Sequence, residues 1–208
     1  MVNLQLIEGF VLGAALLIAL GPKDTFVIKN SLTGRNALTL VLICAVSDLF
    51  LIALGVLGLG SLITGSYWLM VTTMSISIVY LLYFGAQALL LARSGGTNLD
   101  EAGVLMTPLS RKQVIKGALF HSLLTPFAWL DTVLVIGSIS ATKLGMDKIS
   151  FAGGAVAASF LWFFFLTIGS RLAAPMFRNR KMWQALDLVV CASMFVLAAK
   201  LIADYPWR

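Results

Sequence analysis

"ALGPKDTF", residues 19–26, interrupts one of the most apolar stretches of the chain with Gly21-Pro22 and then sets Lys23 beside Asp24. Proline removes a backbone donor and clashes with the preceding turn, so a helix running into Pro22 must kink or break and release the carbonyl of Ile18. The flanks decide what kind of helix is broken. The 208 residues are 60% hydrophobic and 12% charged, whereas soluble domains are near half apolar and a quarter charged. Mean hydropathy is +0.96. Six apolar runs, at about 6–28, 37–60, 67–92, 114–141, 149–173 and 183–203, are each long enough to cross ~30 Å of hydrocarbon. The first run carries Glu8 in place of a basic leader, so it does not read as a signal peptide.

The break recurs. Gly13 precedes "LGP" by the interval that separates Gly117 from "LTP", an offset of 104 positions that aligns Gly21-Pro22 with Thr125-Pro126. Farther on, "AVSDLFLI" (45–52) aligns with "AASFLWFF" (157–164), matching Ser47 to Ser159. Three spans per half is an odd number, so the halves must lie upside down to each other. The predicted fold is therefore an all-α integral membrane protein of six transmembrane helices in two inverted three-helix repeats, residues 1–95 and 113–208, joined by a connecting loop at 96–112. The first and fourth helices are broken at Gly21-Pro22 and Thr125-Pro126.

The net charge of +6 does not point to nucleic acid, because Lys and Arg gather in the short loops as topology determinants do. Lys29 and Arg35, then Arg93, Arg111, Lys112 and Lys116, then Arg171, Arg178, Arg180 and Lys181 mark the odd-numbered loops. The positive-inside rule puts those loops of a multi-pass membrane protein in the cytoplasm and both termini outside. Cys44 and Cys191 lie inside apolar runs with no CxxC, and free core thiols are expected. Trp68, Trp183 and Trp207 read as interface anchors. Small residues in "FAGGAVAAS" (151–159) would let helices approach closely, within one chain or between two copies as a homodimer.

Paired breaks in an inverted repeat point to a substrate site at the bilayer midplane. The segment beginning at each proline presents a positive helix N-terminus suited to a carboxylate, and the segment before it ends in carbonyls suited to a cation. Asp48 and Asp131 lie deep in the second and fourth spans, where each carboxylate costs about 2.5–3.5 kcal/mol unless paired or hydrated. Either both face an aqueous cavity and attract a cationic group, or Lys23 pairs with one of them in a structural ion pair. Asp24 suits a helix N-terminus. His121 shares a face with Thr125 and is either a proton relay or a packing residue. Asp187 reads as an interfacial partner for Arg180 and Lys181. The candidate substrate-binding set is Gly21, Pro22, Lys23, Asp24, Ser47, Asp48, Thr125, Pro126, Asp131 and Thr132, with Asp48, Asp131 and His121 as proton-coupling candidates.

"LGPKDTFV", "ICAVSDLFLI", "LDTVLVIGSI" and "ASFLWFFFL", in this order and spacing, resemble the LysE/ArgO family of bacterial inner-membrane amino-acid exporters along nearly the whole chain. The resemblance implies export of a basic amino acid, lysine or arginine, in the cell inner membrane with both termini in the periplasm, driven by the electrochemical gradient and with no cofactor. Related branches export neutral amino acids, so efflux of another amino acid is the alternative. It carries over to Gly21, Pro22, Ser47, Asp48, Pro126, Leu130, Asp131 and Thr132. Lys23-Asp24 stands where that family usually has Gln-Asn, Thr125 where it has Asn, and Phe127 where His or Asn is common. All these departures fall at the helix breaks.

Two other functions compete. Efflux of a divalent cation would use the carboxylates as ligands, but one His and two dispersed Cys add little, and Lys23 would repel a metal. An intramembrane enzyme would draw on Ser47-Asp48 and His121-Ser122, yet no HExxH or GxSxG motif accompanies them, and no phosphate-binding loop GxxxxGK[ST] occurs. The chain is expected to be a transporter and not an enzyme.

Overall fold

A computed structural model describes residues 2–18, 20–32, 36–60, 65–94 and 109–205. Arg35, most of the 96–112 connection, Trp207 and Arg208 lie outside these. Among the described residues there is no strand. In chain order the helices are α1 (Val2–Leu17), α2 (Pro22–Leu32), α3 (Ala37–Leu54), α4 (Tyr67–Ser94), α5 (Arg111–Leu123), α6 (Pro126–Ala141), α7 (Gly145–Leu172) and α8 (Arg180–Ala203).

Among the described residues, four helices are long and apolar enough to cross a membrane: α3 with its extension to Leu59, α4, α7 and α8. The other two runs are bent pairs. α1 meets α2 at 81° and α5 meets α6 at 53°, so the spans number six if each pair is one crossing. Both bends fall at the prolines. Pro126 opens α6 at its first turn, where a missing N–H costs nothing. The large side chains left outside, among them Leu38, Phe50, Val79, Leu90, Phe165 and Val196, cover the outer faces with hydrocarbon. That surface suits lipid, and the chain is a multi-pass membrane protein.

Two helix pairs form the most extensive contacts: α1 on α7, and α4 on α8. The first is as close as backbones allow. A Cβ at Gly154 would come 2.0 Å from the Leu6 carbonyl oxygen, and one at Gly9 would come 1.9 Å from that of Phe151. The small-residue run 151–159 is therefore used inside the chain. α3 packs against both α5 and α7, and α2 also lies against α7. α3 ends in a π-helical turn, Gly55–Leu59, in which Gly58 takes φ 108°, and this turn packs on the end of α6. α6 itself winds as a π-helix over Trp129–Ile136.

Two expectations change here. Trp183 is not an interface anchor. It is 1% exposed, and its indole donates to the Phe177 carbonyl at 2.7 Å, because the α7–α8 loop folds back over the helix end. Asp187 does not pair with Arg180 or Lys181, which sit about 10 Å away along the helix axis at 1.5 Å per residue. It lies 1% exposed and 3.9 Å from Lys29 of α2. Cys44 and Cys191 are free and buried.

Candidate functional site

The first break closes on itself. Asp24 turns back along α2 so that its Oδ2 accepts from the Gly21 backbone N–H at 2.9 Å, while its Oδ1 accepts from the Trp162 indole at 3.1 Å. A carboxylate at this position answers the positive end of the helix. The Thr25 hydroxyl donates to the Gly21 carbonyl at 3.0 Å, and Ser193 of α8 donates to that of Leu20 at 2.6 Å. Backbone groups released by the break are thus taken up by protein side chains, as a bilayer requires.

Lys23 points the other way. Its ammonium forms an ion pair and hydrogen bond with Asp48 of α3, bonds the Cys44 carbonyl at 3.4 Å, and sits 4.4 Å above the Phe163 ring. The two charged side chains are 14% and 9% exposed, so this is a nearly dry pair held among α2, α3 and α7. Adjacent residues on a helix face apart, which is why Lys23 and Asp24 serve different partners. Ser47, one position before Asp48, is buried against α5 beside an apolar groove that Val46, Phe50 and Leu123 also line.

The second break is built from neutral groups. The Thr125 hydroxyl donates back to the His121 carbonyl at 2.7 Å and contacts the Tyr80 hydroxyl at 3.2 Å, and the Trp129 indole donates to the Leu123 carbonyl at 2.8 Å. No side chain caps the N-terminus of α6. Asp131 lies one turn beyond and lines a cavity of about 310 Å³ with Phe127, Lys200 and Asp204. Among the described residues it makes neither a hydrogen bond nor an ion pair. Lys200 and Asp48 are the charges near enough to act on it. Thr132 follows, half-buried.

His121 packs against Phe26, Phe84 and Phe120, with ring centroids 5.1–6.4 Å apart. It lines a second cavity, of about 180 Å³, together with Pro22, Lys29 and Asp187. An apolar cluster of Leu81, Met194 and their neighbours, with Leu20 and Phe127 against it, lies between the two cavities. Ala88 and Val190 of that cluster line one cavity, while Phe127 and Leu197 line the other.

The candidate residues therefore divide. Lys23, Asp24 and Asp48 form a closed cluster, Asp131 opens to a cavity of its own, and His121 belongs to a third place. Sequence reading missed Trp162, Trp129, Tyr80 and Ser193. The available signal was that a Trp or Tyr deep in a span needs a partner for its polar edge.

The chain matches the description "LysE type translocator" over residues 14–205. The chain belongs to the LysE type translocator family. Among similar proteins are those named arginine exporter protein ArgO in Escherichia coli O157:H7 and Shigella flexneri. Both are 36% identical over 197 residues, which covers 95% of this chain and 92% of each relative. The ArgO protein of Salmonella typhimurium strain LT2 is 34% identical over the same extent. No solved structure matches the chain. It is a translocator of this family and not an enzyme.

Proposed function

We propose that the chain exports arginine or lysine from the cytoplasm across the inner membrane by alternating access, driven by the electrochemical gradient. The observation that carries this reading is Asp131, a carboxylate without a protein partner among the described residues, lining a cavity inside a membrane helix. A buried charge in that position is costly unless something cationic or water meets it, and such residues mark transport paths. The names of the ArgO relatives supply the substrate class.

In this mechanism Asp131 takes the guanidinium or ammonium of the substrate, with Thr132 beside it. The uncapped start of α6, at Thr125-Pro126, faces the substrate carboxylate. Lys23 and Asp48 act as a latch holding α2 to α3. The odd loops lie in the cytoplasm and both termini in the periplasm, as the loop charges indicate, so the Asp131 cavity opens outward. Between it and the Asp187 cavity, Val190 and Leu197 are seven residues apart on α8, so the barrier is about 10 Å thick. The inverted repeat, residues 1–95 against 113–208, has support in the packing. Exchanging α1 with α5 and α3 with α7 turns the α1–α7 contact into α5–α3, and both contacts occur. Rocking of such halves about the fixed site gives access from each side in turn.

Divalent-cation efflux gains no support: among the described residues no three of His, Cys, Asp and Glu come together. Counterflow in proteoliposomes tests the reading, with labelled arginine and lysine set against neutral amino acids and manganese. Saturable exchange of arginine or lysine is the expected result. Exchange of only neutral amino acids or manganese would overturn it.

A further inference from the structure

The cavity on the odd-loop side is lined by two residues that each carry a buried polar atom with no hydrogen bond among the described residues. Asp187 is 1% exposed, yet its Oδ2 has no partner. Its other oxygen meets Lys29 only at 3.9 Å, too long for a hydrogen bond. The Nδ1 of His121 is likewise buried and unpartnered. Both residues line the same space of about 180 Å³, along with Pro22, Thr25, Lys29 and Gln87. Buried polar atoms are satisfied in folded proteins by protein, water or ligand, and two residues that line one void while each keeps an unsatisfied buried atom call for an occupant that draws those side chains toward it. The space is well under the ~300 Å³ typical of drug-sized ligand sites, so the occupant is small.

We infer that this cavity is a second substrate site, on the cytoplasmic side, in which Asp187 binds the cationic side chain of an amino acid before it reaches Asp131. This rests on the export reading above. Lys29 holds the place of the substrate cation while the site is empty. Its ammonium is the nearest cation to Asp187, lies 6.0 Å from the Trp183 ring, and is loosely enough held to swing aside on its four-carbon stem. His121 offers its Nδ1 to the backbone end of the substrate. The carboxylate belongs to α8, the helix whose other end contributes Lys200 to the Asp131 cavity. One helix therefore borders both stations of the path.

Two measurements test this. In inside-out vesicles, Asp187→Asn should raise the KM for arginine uptake at least tenfold with kcat within about threefold, and Lys29→Gln should lower that KM. Asp131→Asn should abolish uptake altogether. An unchanged KM for Asp187→Asn, with Asp131→Asn inactive, would overturn this inference and leave the export reading standing. The second measurement needs no transport. With Gln87→Cys on the otherwise unaltered chain, arginine should slow maleimide labelling, and citrulline, which has the same shape without the positive charge, should not. Protection by arginine alone supports the site even if counterflow fails and the export reading falls. Equal labelling with and without arginine, or equal protection by citrulline, overturns it.

Discussion

The two broken helices solve one problem in opposite ways. At Gly21-Pro22 the chain bends by 81° and closes the gap with charge: Asp24 caps the new helix, Trp162 holds Asp24, and Lys23 reaches across to Asp48. At Thr125-Pro126 it bends by 53° and closes the gap with a hydroxyl and an indole, leaving the next helix start uncapped and Asp131 unpaired among the described residues. A proline break by itself therefore does not make a binding site. What decides is whether the side chains around it consume the freed dipoles or leave them to a ligand. The first break is a finished joint, while the second retains unused electrostatic capacity.

That contrast predicts different kinds of damage. Lys23→Gln strands the Asp48 carboxylate in a nearly dry pocket, and losing one partner of such a pair costs about 3–5 kcal/mol. The expected result is a large fall in the thermal midpoint of the detergent-solubilised protein, with most of it recovered in Lys23→Gln/Asp48→Asn. A stable single variant would mean that water, and not Lys23, neutralises Asp48. Asp131→Asn should do the reverse. It strands nothing, so the midpoint holds, while arginine counterflow drops by more than about 100-fold, or ~2.7 kcal/mol of transport barrier. Should Asp131→Asn unfold the protein with its transport per folded molecule intact, the two breaks would have to exchange roles.

How much of this contrast was legible in the sequence depends on the range of the interaction. Gly21-Pro22 and Thr125-Pro126 announced both breaks because proline acts on its own turn. The span boundaries followed from hydropathy. The use of Lys23 was open, since pairing with Asp48 needs α2 and α3 to cross at a particular height, and no local rule sets that height. The Trp162–Asp24 bond joins residues 138 apart in sequence, and the Lys29–Asp187 proximity joins α2 to α8. Asp187 shows the same limit: its nearest basic residues in sequence are Arg180 and Lys181, while its nearest in space is Lys29. Long-range partners are set by how bent helices stack, which composition does not encode.

Trp162→Phe probes the closed joint more gently. It keeps the ring and removes the N–H that donates to Asp24 at 3.1 Å. Asp24 keeps its backbone donor at Gly21, so the loss is one hydrogen bond to a charged acceptor, about 1.5–3 kcal/mol. The midpoint should fall by less than in Lys23→Gln, and arginine counterflow per folded molecule should change by less than threefold. A loss of transport comparable to that of Asp131→Asn would place Asp24 in the substrate path and undo the description of the first break as a joint.

The smallest effect belongs to Tyr80, and its direction follows from counting protons. A threonine hydroxyl has one proton, and Thr125 gives it to the His121 carbonyl at 2.7 Å. The 3.2 Å contact between Tyr80 and Thr125 must then be donated by Tyr80. Tyr80→Phe removes that one bond and leaves the Thr125–His121 bond in place, so it should cost about 1 kcal/mol, the net worth of a neutral hydrogen bond. Thr125→Val removes both and strands the Tyr80 hydroxyl, so it should cost more than Tyr80→Phe does. Comparing the midpoints of the two variants and their double mutant measures the coupling directly. Equal costs for the single variants would mean that the tyrosine hydroxyl holds the second break and the bond from Thr125 to His121 adds nothing.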